Sequence, residues 1–314
     1  MIQRQWHELV DRLEANIGSV VLGKPHVVRG CLVALLAGEH LLLEDVPGVG
    51  KTLVGKALAR SISGAFCRIQ FTPDLLPSDI VGSSIFKADT HEFVYHEGPI
   101  FANVVLADEI NRAPPRTQSA LLEAMSDRQV SADGRSRALP QPFMVIATQN
   151  PYEFEGTYPL PESQLDRFLI RMSIGYPARE WERQVFDTHR SGEPVDTLQS
   201  VIDGRQISQL QDAVRSVRVD DSITEYILEI VEATRGSDAL HVGVSTRGAL
   251  YLYRAVQAAA FIAGRDYAVP DDVKQWAAAV LAHRVIPRGF TQGTRARDAE
   301  GLIEQMVDNI PVPV

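Results

Sequence analysis

Hydrophobic residues follow two distinct rhythms along the chain. Through the first forty residues they recur every three or four positions. Trp6, Leu9, Val10, Leu13 and Ile17 mark one amphipathic helix, and Val27 to Leu36 a second, apolar one that stops at Gly38. The rhythm then changes. Between His40 and Asp45, Leu41-Leu42-Leu43 is a short unbroken apolar run bounded by turn residues, as expected of a strand buried on both faces. The same texture returns at Val104–Ala107 and Phe143–Ala147, with Cys67–Phe71 as a further candidate. In Phe168–Ile174 the apolar residues alternate with more polar neighbours. Helical patterns over Thr52–Ser61 and Pro115–Arg128 lie between these runs. Strands alternating with helices predict the α/β class, with a mostly parallel sheet and helices on both faces.

Beyond Gly175-Tyr176-Pro177 the pattern predicts helices alone, over Ile207–Val217, Ser222–Arg235, Thr246–Gly264 and Pro270–His283. The expected organisation is an α/β domain over residues 1–190 and a smaller all-α domain over 191–314. A length of 314 residues agrees with two domains.

Composition narrows the function classes. Forty acidic against 31 basic residues give a net charge of −9, which argues against broad non-specific affinity for nucleic acid. The longest apolar stretches, Cys31–Ala37 and Trp276–Ala282, are far shorter than the ~20 residues that cross a bilayer, so no membrane insertion is expected. The first residues lack the apolar core of a signal peptide, and a cytoplasmic protein is the expectation. Two distant cysteines make no disulfide framework. The eight histidines, of which His91 and His96 are the nearest pair, show no ligand spacing.

The sharpest local signal follows the first strand: Asp45-Val46-Pro47-Gly48-Val49-Gly50-Lys51-Thr52, then a helix. Gly48 and Gly50 allow the backbone to turn its N–H groups around a phosphate. Lys51 reaches the outer phosphates, Thr52 is placed to bind Mg²⁺, and the helix N-terminus adds partial positive charge. The strict phosphate-loop pattern asks for Gly where this chain has Asp45. Val104–Ala107 emerges into Asp108-Glu109: Asp108 would hold Mg²⁺ through the Thr52 shell, and Glu109 would orient and deprotonate an attacking water. The strand ending in Gln149-Asn150-Pro151 places the neutral amide of Asn150 where it can hold that water. Arg167, in Leu165-Asp166-Arg167-Phe168, is a candidate arginine finger offered to a neighbouring subunit, with Arg112, Arg116 and Arg171 competing. Arg247, in Ser245-Thr246-Arg247 at the start of a helix, is placed for a lid contact to phosphate.

Together these residues resemble, in order and spacing, an AAA+ ATPase with a helical lid. Leu42–Thr52, Asp108-Glu109-Ile110-Asn111-Arg112-Ala113-Pro114-Pro115 and Ala147-Thr148-Gln149-Asn150-Pro151 look more narrowly like the MoxR family. The resemblance implies a phosphate-loop AAA+ core followed by a small all-α lid. It implies ATP and Mg²⁺ as cofactors and ATP hydrolysis in a homo-oligomeric ring, typically a hexamer, with shared active sites. The nucleotide-binding set it implies is Val21, Leu22 and Gly23 near the adenine, with Pro47, Gly48, Val49, Gly50, Lys51, Thr52 and Leu53 around the phosphates. It further implies two β-hairpin insertions, around Val81–Gly98 and Gln129–Pro142, facing a pore or a partner. Phe93 and Tyr95 are candidate gripping residues there, and Asp133-Gly134 is a strong hairpin turn. Family members act as chaperone-like maturation factors, often with a client or adaptor carrying a von Willebrand factor A domain.

Three other readings stay open at this level. One is the ATPase subunit of a metal chelatase, and another a nucleotide-gated assembly scaffold with little turnover. The third is a nucleic-acid motor, with Arg128, Arg135 and Arg137 lining a pore hairpin.

Overall fold

The computed structural model describes residues 2–151, 156–188, 190, 192–289 and 295–313. Helices α1 (Ile2–Gly18) and α2 (Pro25–Ala37) lead into strand β1 (Leu41–Glu44), and α3 (Lys51–Ser61) follows it. Then come β2 (Ile62–Ser63), β3 (Phe66–Gln70), α4 (Pro77–Val81) and a hairpin of β4 (Gly82–Lys87) and β5 (Glu92–Glu97). Strand β6 (Val104–Asp108) and α5 (Pro115–Asp127) precede a second hairpin, β7 (Gln129–Ala132) and β8 (Arg135–Ala138). The rest of this part is β9 (Met144–Gln149), the short α6 (Glu162–Leu165), β10 (Ile170–Met172) and α7 (Arg179–Thr188). The C-terminal part runs β11 (Ile202–Asp203), α8 (Gly204–Arg215), α9 (Asp221–Gly236), β12 (Leu240–Val242), α10 (Thr246–Ile262), α11 (Pro270–Leu281), β13 (Ile286–Pro287) and α12 (Arg295–Asn309).

Five strands form one parallel sheet in the order β10-β1-β9-β6-β3. Alternation along each strand assigns side chains to two cores. Leu41 and Leu43 join Val104, Leu106, Met144 and Ile146 under α1, α2 and α3. Leu42 joins Val105, Ala107, Val145 and Ala147 against α5. His40, buried just before β1, accepts from the Val145 amide at Nδ1 (3.0 Å) and pairs Nε2 with Met125 O (3.1 Å). Burial pushes its pKa down to about 4, so the ring is neutral near neutral pH.

The first core does not end with the α/β part. Helix α2 packs on α8 and α10, and α1 on α10. Residues of α8 to α12 belong to the same continuous apolar cluster as those of α1 and α2.

Three expectations need correction. Strands do not stop at Pro177: β11 pairs in parallel with β2 (Ile202↔Ile62), and β12 pairs antiparallel with β13. Strands of two or three residues carry no hydrophobic pattern to read. Helix α7 buries none of its residues, so it has no core-facing stripe to mark it. The helix predicted to run through Arg128 ends one residue earlier. Arg128 is a left-handed cap (φ 52°) whose Nη2 donates to Gly38 O at 2.7 Å.

Both hairpins form where expected. Asp133 and Gly134, at φ 53° and 71°, make the two-residue turn between the paired Ala132 and Arg135. At the base of the first hairpin Gly82 and Gly98 lie back to back. A Cβ on Gly82 would meet His96 O at 2.2 Å, and one on Gly98 would meet Ile80 O at 2.3 Å. The hairpins dock on each other: Ser84 bonds the Asp133 carboxylate, and the Arg137 guanidinium lies 3.6 Å from the Tyr95 ring centroid. Phe93 and Tyr95 therefore part company. Tyr95 is half-buried, with its hydroxyl donating to Val81 O, whereas Phe93 is 74% exposed beside Phe86.

Candidate functional site

The four central elements of the site converge at the C-terminal ends of the strands, where open parallel sheets present their loops. The loop from β1 to α3 turns on two left-handed glycines, Gly48 (φ 84°) and Gly50 (φ 94°). Gly50 is the N-cap of α3 and supplies no side-chain cap, so the first-turn amides of Lys51, Thr52 and Leu53 are left for an anion. Lys51, buried, donates its Nζ to Asp45 O (2.5 Å) and Gln149 O (3.2 Å), bridging β1 and β9 across the cradle.

Asp45, the departure from the strict loop pattern, has a defined task. Its Oδ2 accepts from Ser173 Oγ (2.9 Å), Ile174 N (2.9 Å) and Gly175 N (2.6 Å), and its Oδ1 from Val46 N (2.8 Å). Burial alone pushes this carboxyl up, but the four hydrogen bonds outweigh it and hold the group below the usual aspartate range. The carboxylate thus ties the loop to the segment leaving β10. A depressed folded pKa means that this contribution is present above the unfolded value near ~3.9 and is lost as pH falls through the folded one. Asp45→Asn is expected to cost about 2 kcal/mol at pH 7, because donors that met a carboxylate then face a neutral amide. Urea unfolding of both proteins should show the difference shrinking as pH falls from 7 towards 3. A constant difference would show that charge at Asp45 is irrelevant.

Strand β6 delivers the two carboxylates. Asp108 is buried. Its Oδ1 accepts from Thr148 Oγ1 (2.6 Å), and its Oδ2 faces Thr52 Oγ1 at 3.2 Å. Arg68, on the edge strand β3, also reaches Oδ2, through Nε at 3.1 Å and Nη2 at 2.6 Å. Glu109 follows in a left-handed conformation (φ 56°) that turns the chain out of the strand, with its amide donating to Thr148 Oγ1 at 2.9 Å. Its Oε2 accepts from Gln70 Nε2 (2.8 Å) and Arg112 Nη1 (3.1 Å). Asn150 is buried at the end of β9, and its carbonyl accepts from Asn111 Nδ2 at 3.3 Å.

Lys51, Thr52, Asp108, Glu109 and Asn150 are thus brought to one edge of the sheet. Arg167 and Arg247 are not. Arg167 precedes β10, and Leu169 N bonds His40 O just before β1, so this segment lies at the N-terminal ends of the strands. A strand length of roughly 10 Å separates it from its own phosphate loop. Arg167 donates to Leu122 O (2.7 Å) and to Ser126 Oγ on α5. Arg247 stands beside it: its Nη1 is 3.7 Å from Asp166 Oδ2, and its side chain is 56% exposed. Asp166 also takes Arg284 Nε at 2.8 Å, and Arg284 Nη1 and Nη2 bond the carbonyls of Leu169 (3.3 Å) and Asp166 (3.2 Å). Burial pulls the Arg284 pKa down to about 10, so it remains charged at neutral pH.

Of the other candidate arginines, Arg171 is buried between Glu44 (3.7 Å) and Glu300 (3.5 Å), and Arg112 is held by Glu109. Val21, Leu22 and Gly23 link α1 to α2. At Gly23 (φ 67°) a Cβ would lie 2.4 Å from Trp181 Cδ1, so the indole of α7 closes over this loop.

Sequence reasoning missed Arg68, Gln70, Trp181 and Arg284. For Arg68 and Gln70 a signal existed, since they are alternate polar positions in a strand that pairs with the acidic one (Gln70↔Asp108). Trp181 and Arg284 carry no local motif.

The oxygens of Thr52 and Asp108 suit a hard cation, and the guanidinium on Oδ2 shows that this edge of the carboxylate accepts positive charge. Among the described residues no group of three or more His, Cys, Asp or Glu forms a metal site by itself. That donor set fits Mg²⁺, which keeps waters and phosphate oxygens as most of its ligands.

Comparison with known proteins bears on the family and the fold. Residues 40–170 match the ATPase family associated with various cellular activities (AAA), and residues 232–304 match the AAA lid domain. Chaperone MoxR1 of Mycobacterium tuberculosis is 41% identical over 88% of this chain and 75% of its own length. Protein MoxR of Methylorubrum extorquens is 31% identical over 98% and 96% of the two chains. A crystal structure from Cytophaga hutchinsonii, assigned as an ATPase, superposes with a TM-score of 0.90 at 36% identity, covering 99% of this chain and 97% of that one.

Proposed function

Because the chain belongs to the MoxR family of AAA+ ATPases, we propose that it hydrolyses ATP to ADP and phosphate in a ring of identical subunits with shared active sites. The observation that carries this reading is the division of the machinery between the two ends of one sheet. Phosphate cradle, Asp108 and Glu109 lie at the C-terminal ends of the strands, and Arg167 and Arg247 at the N-terminal ends. Arginines that cannot approach their own phosphate loop are available to a neighbour's.

In this mechanism the amides of the Gly48–Leu53 loop and Lys51 bind and orient the phosphates. Thr52 and Asp108 would hold Mg²⁺, which supplies neutralisation of phosphate charge when bound. Glu109 orients a water for in-line attack and takes its proton, and Asn150 helps to place that water. Arg167 and Arg247 of the adjoining copy stabilise charge on the phosphoryl oxygens.

A hexamer is the ring size we adopt from the family. The cycle would drive chaperone-like remodelling of a separate client or adaptor protein in the cytoplasm. The exposed Phe93 on the docked hairpins offers that client an apolar contact. No described helix is long and apolar enough to cross a membrane.

ATP turnover per subunit, measured across a wide range of protein concentration, tests the shared site. Specific activity should rise by about tenfold or more as subunits associate, since an isolated subunit lacks the arginine contribution. Activity independent of concentration, in protein shown to be monomeric throughout, would remove the ring from the mechanism.

A further inference from the structure

The metal edge of Asp108 already has a cation on it. Thr148 holds Oδ1 at 2.6 Å, which leaves Oδ2 turned towards Thr52. Onto this same oxygen Arg68 directs both Nε (3.1 Å) and Nη2 (2.6 Å). The remaining hydrogen of Nη2 goes to Gln70 Oε1 at 2.8 Å, so two acceptors fix the guanidinium in place. Arg68 and Gln70 lie two residues apart on one face of β3, the edge strand, in register with Leu106 and Asp108.

A carboxylate oxygen engaged by a forked guanidinium and a hydroxyl has little room for a divalent cation as well. Two cations against one carboxylate also repel each other. The Arg68 side chain is 46% exposed, so its own charge can move into solvent, and an arriving Mg²⁺ would compensate the buried Asp108 carboxylate it leaves.

We infer that Arg68 is a placeholder cation: it neutralises Asp108 while the site is empty and is displaced when Mg²⁺ arrives with the nucleotide. The inference rests on the reading of Asp108 as the metal carboxylate. Metal loading is then a competition. The apparent affinity for Mg²⁺ is the intrinsic one multiplied by the fraction of molecules in which Arg68 has already moved away. Arg68 is a positioning residue in this scheme, one that sets how much free Mg²⁺ the site needs.

Equilibrium binding of a fluorescent ADP analogue to the full chain, stripped of metal with a chelator and then titrated with Mg²⁺, reads this directly and without turnover. Arg68→Gln should lower the Mg²⁺ concentration at half-effect by roughly three- to tenfold, the range expected for losing one half-exposed charged contact. Nucleotide affinity in chelator should stay unchanged. Arg68→Lys keeps the charge but loses the fork, and should fall between the two. A half-effect concentration that is unchanged or higher in Arg68→Gln, with Arg68→Lys following it, overturns the inference. Asp108→Asn separates this from the reading beneath it. If that variant keeps the full Mg²⁺ dependence of the unaltered chain, Asp108 is not the metal carboxylate and the inference falls with it.

Discussion

Glu109→Gln protein should bind ATP as tightly as the unaltered chain and turn it over about 10²–10⁴ times more slowly. Glutamine keeps the length of the side chain and a carbonyl oxygen that can still accept from Gln70 and Arg112, the two groups that hold Oε2 at 2.8 and 3.1 Å. What it loses is the capacity to take a proton from water. The hydrogen bonds that brace the cradle, from Lys51 to Asp45 O and Gln149 O, do not use this side chain, so binding and chemistry are expected to separate. Fluorescent-nucleotide binding and phosphate release on the same preparation measure both. Turnover at the original rate would remove Glu109 as the base, and loss of binding would recast it as a structural element of the cradle.

Arg167→Ala should cost more, about 10³–10⁵ in turnover if its guanidinium acts as arginine fingers do in other nucleotide hydrolases. Its defect should also be curable by a second inactive protein. In a mixed ring, a Glu109→Gln subunit still presents Arg167 at the N-terminal ends of its strands. A neighbouring Arg167→Ala subunit still holds an intact cradle and Glu109. Mixing the two should restore a measurable fraction of activity that neither shows alone. Among the described residues the hydrogen bonds that the truncation removes go to Leu122 O and Ser126 Oγ on α5, not to the phosphate loop. Restoration on mixing can come only from sites built by two chains. If mixing restores nothing while both variants still assemble, Arg167 is not the shared residue, and Arg247, 3.7 Å from the adjacent Asp166, becomes the leading candidate.

Much of the candidate site was legible because its parts are local. Leu41-Leu42-Leu43 reads as a doubly buried strand because both of its faces carry leucine, and Gly48, Gly50, Lys51 and Thr52 signal a phosphate cradle within five residues. Asp108 and Glu109 are visible because they end a buried strand. Asp45 is the instructive exception. Against a motif it is a mismatch, and only the fold shows its carboxylate reaching the backbone of Ile174 and Gly175, far along the chain. Arg68 and Gln70 were passed over for a related reason. Polar residues on an edge strand resemble ordinary solvent-facing positions until the register with β6 places them over Asp108 and Glu109. Helix α7 escaped notice because it buries nothing, although its Trp181 covers Gly23. The location of Arg247 depended on tertiary packing alone, since nothing near Ser245 indicates which end of the sheet the helix will face.

Helices α1 and α2 are synthesised before the sheet, yet their apolar faces are completed by α8 and α10, synthesised after it. During synthesis Leu13, Val27, Leu32 and Leu35 must wait for partners some two hundred residues downstream. The chain therefore carries a stretch of exposed hydrocarbon until α8 and α10 have been made. Its halves are separable on paper and inseparable in water: a fragment ending at Gly175 would keep the phosphate loop with its Asp45 anchor and leave the apolar faces of α1 and α2 uncovered.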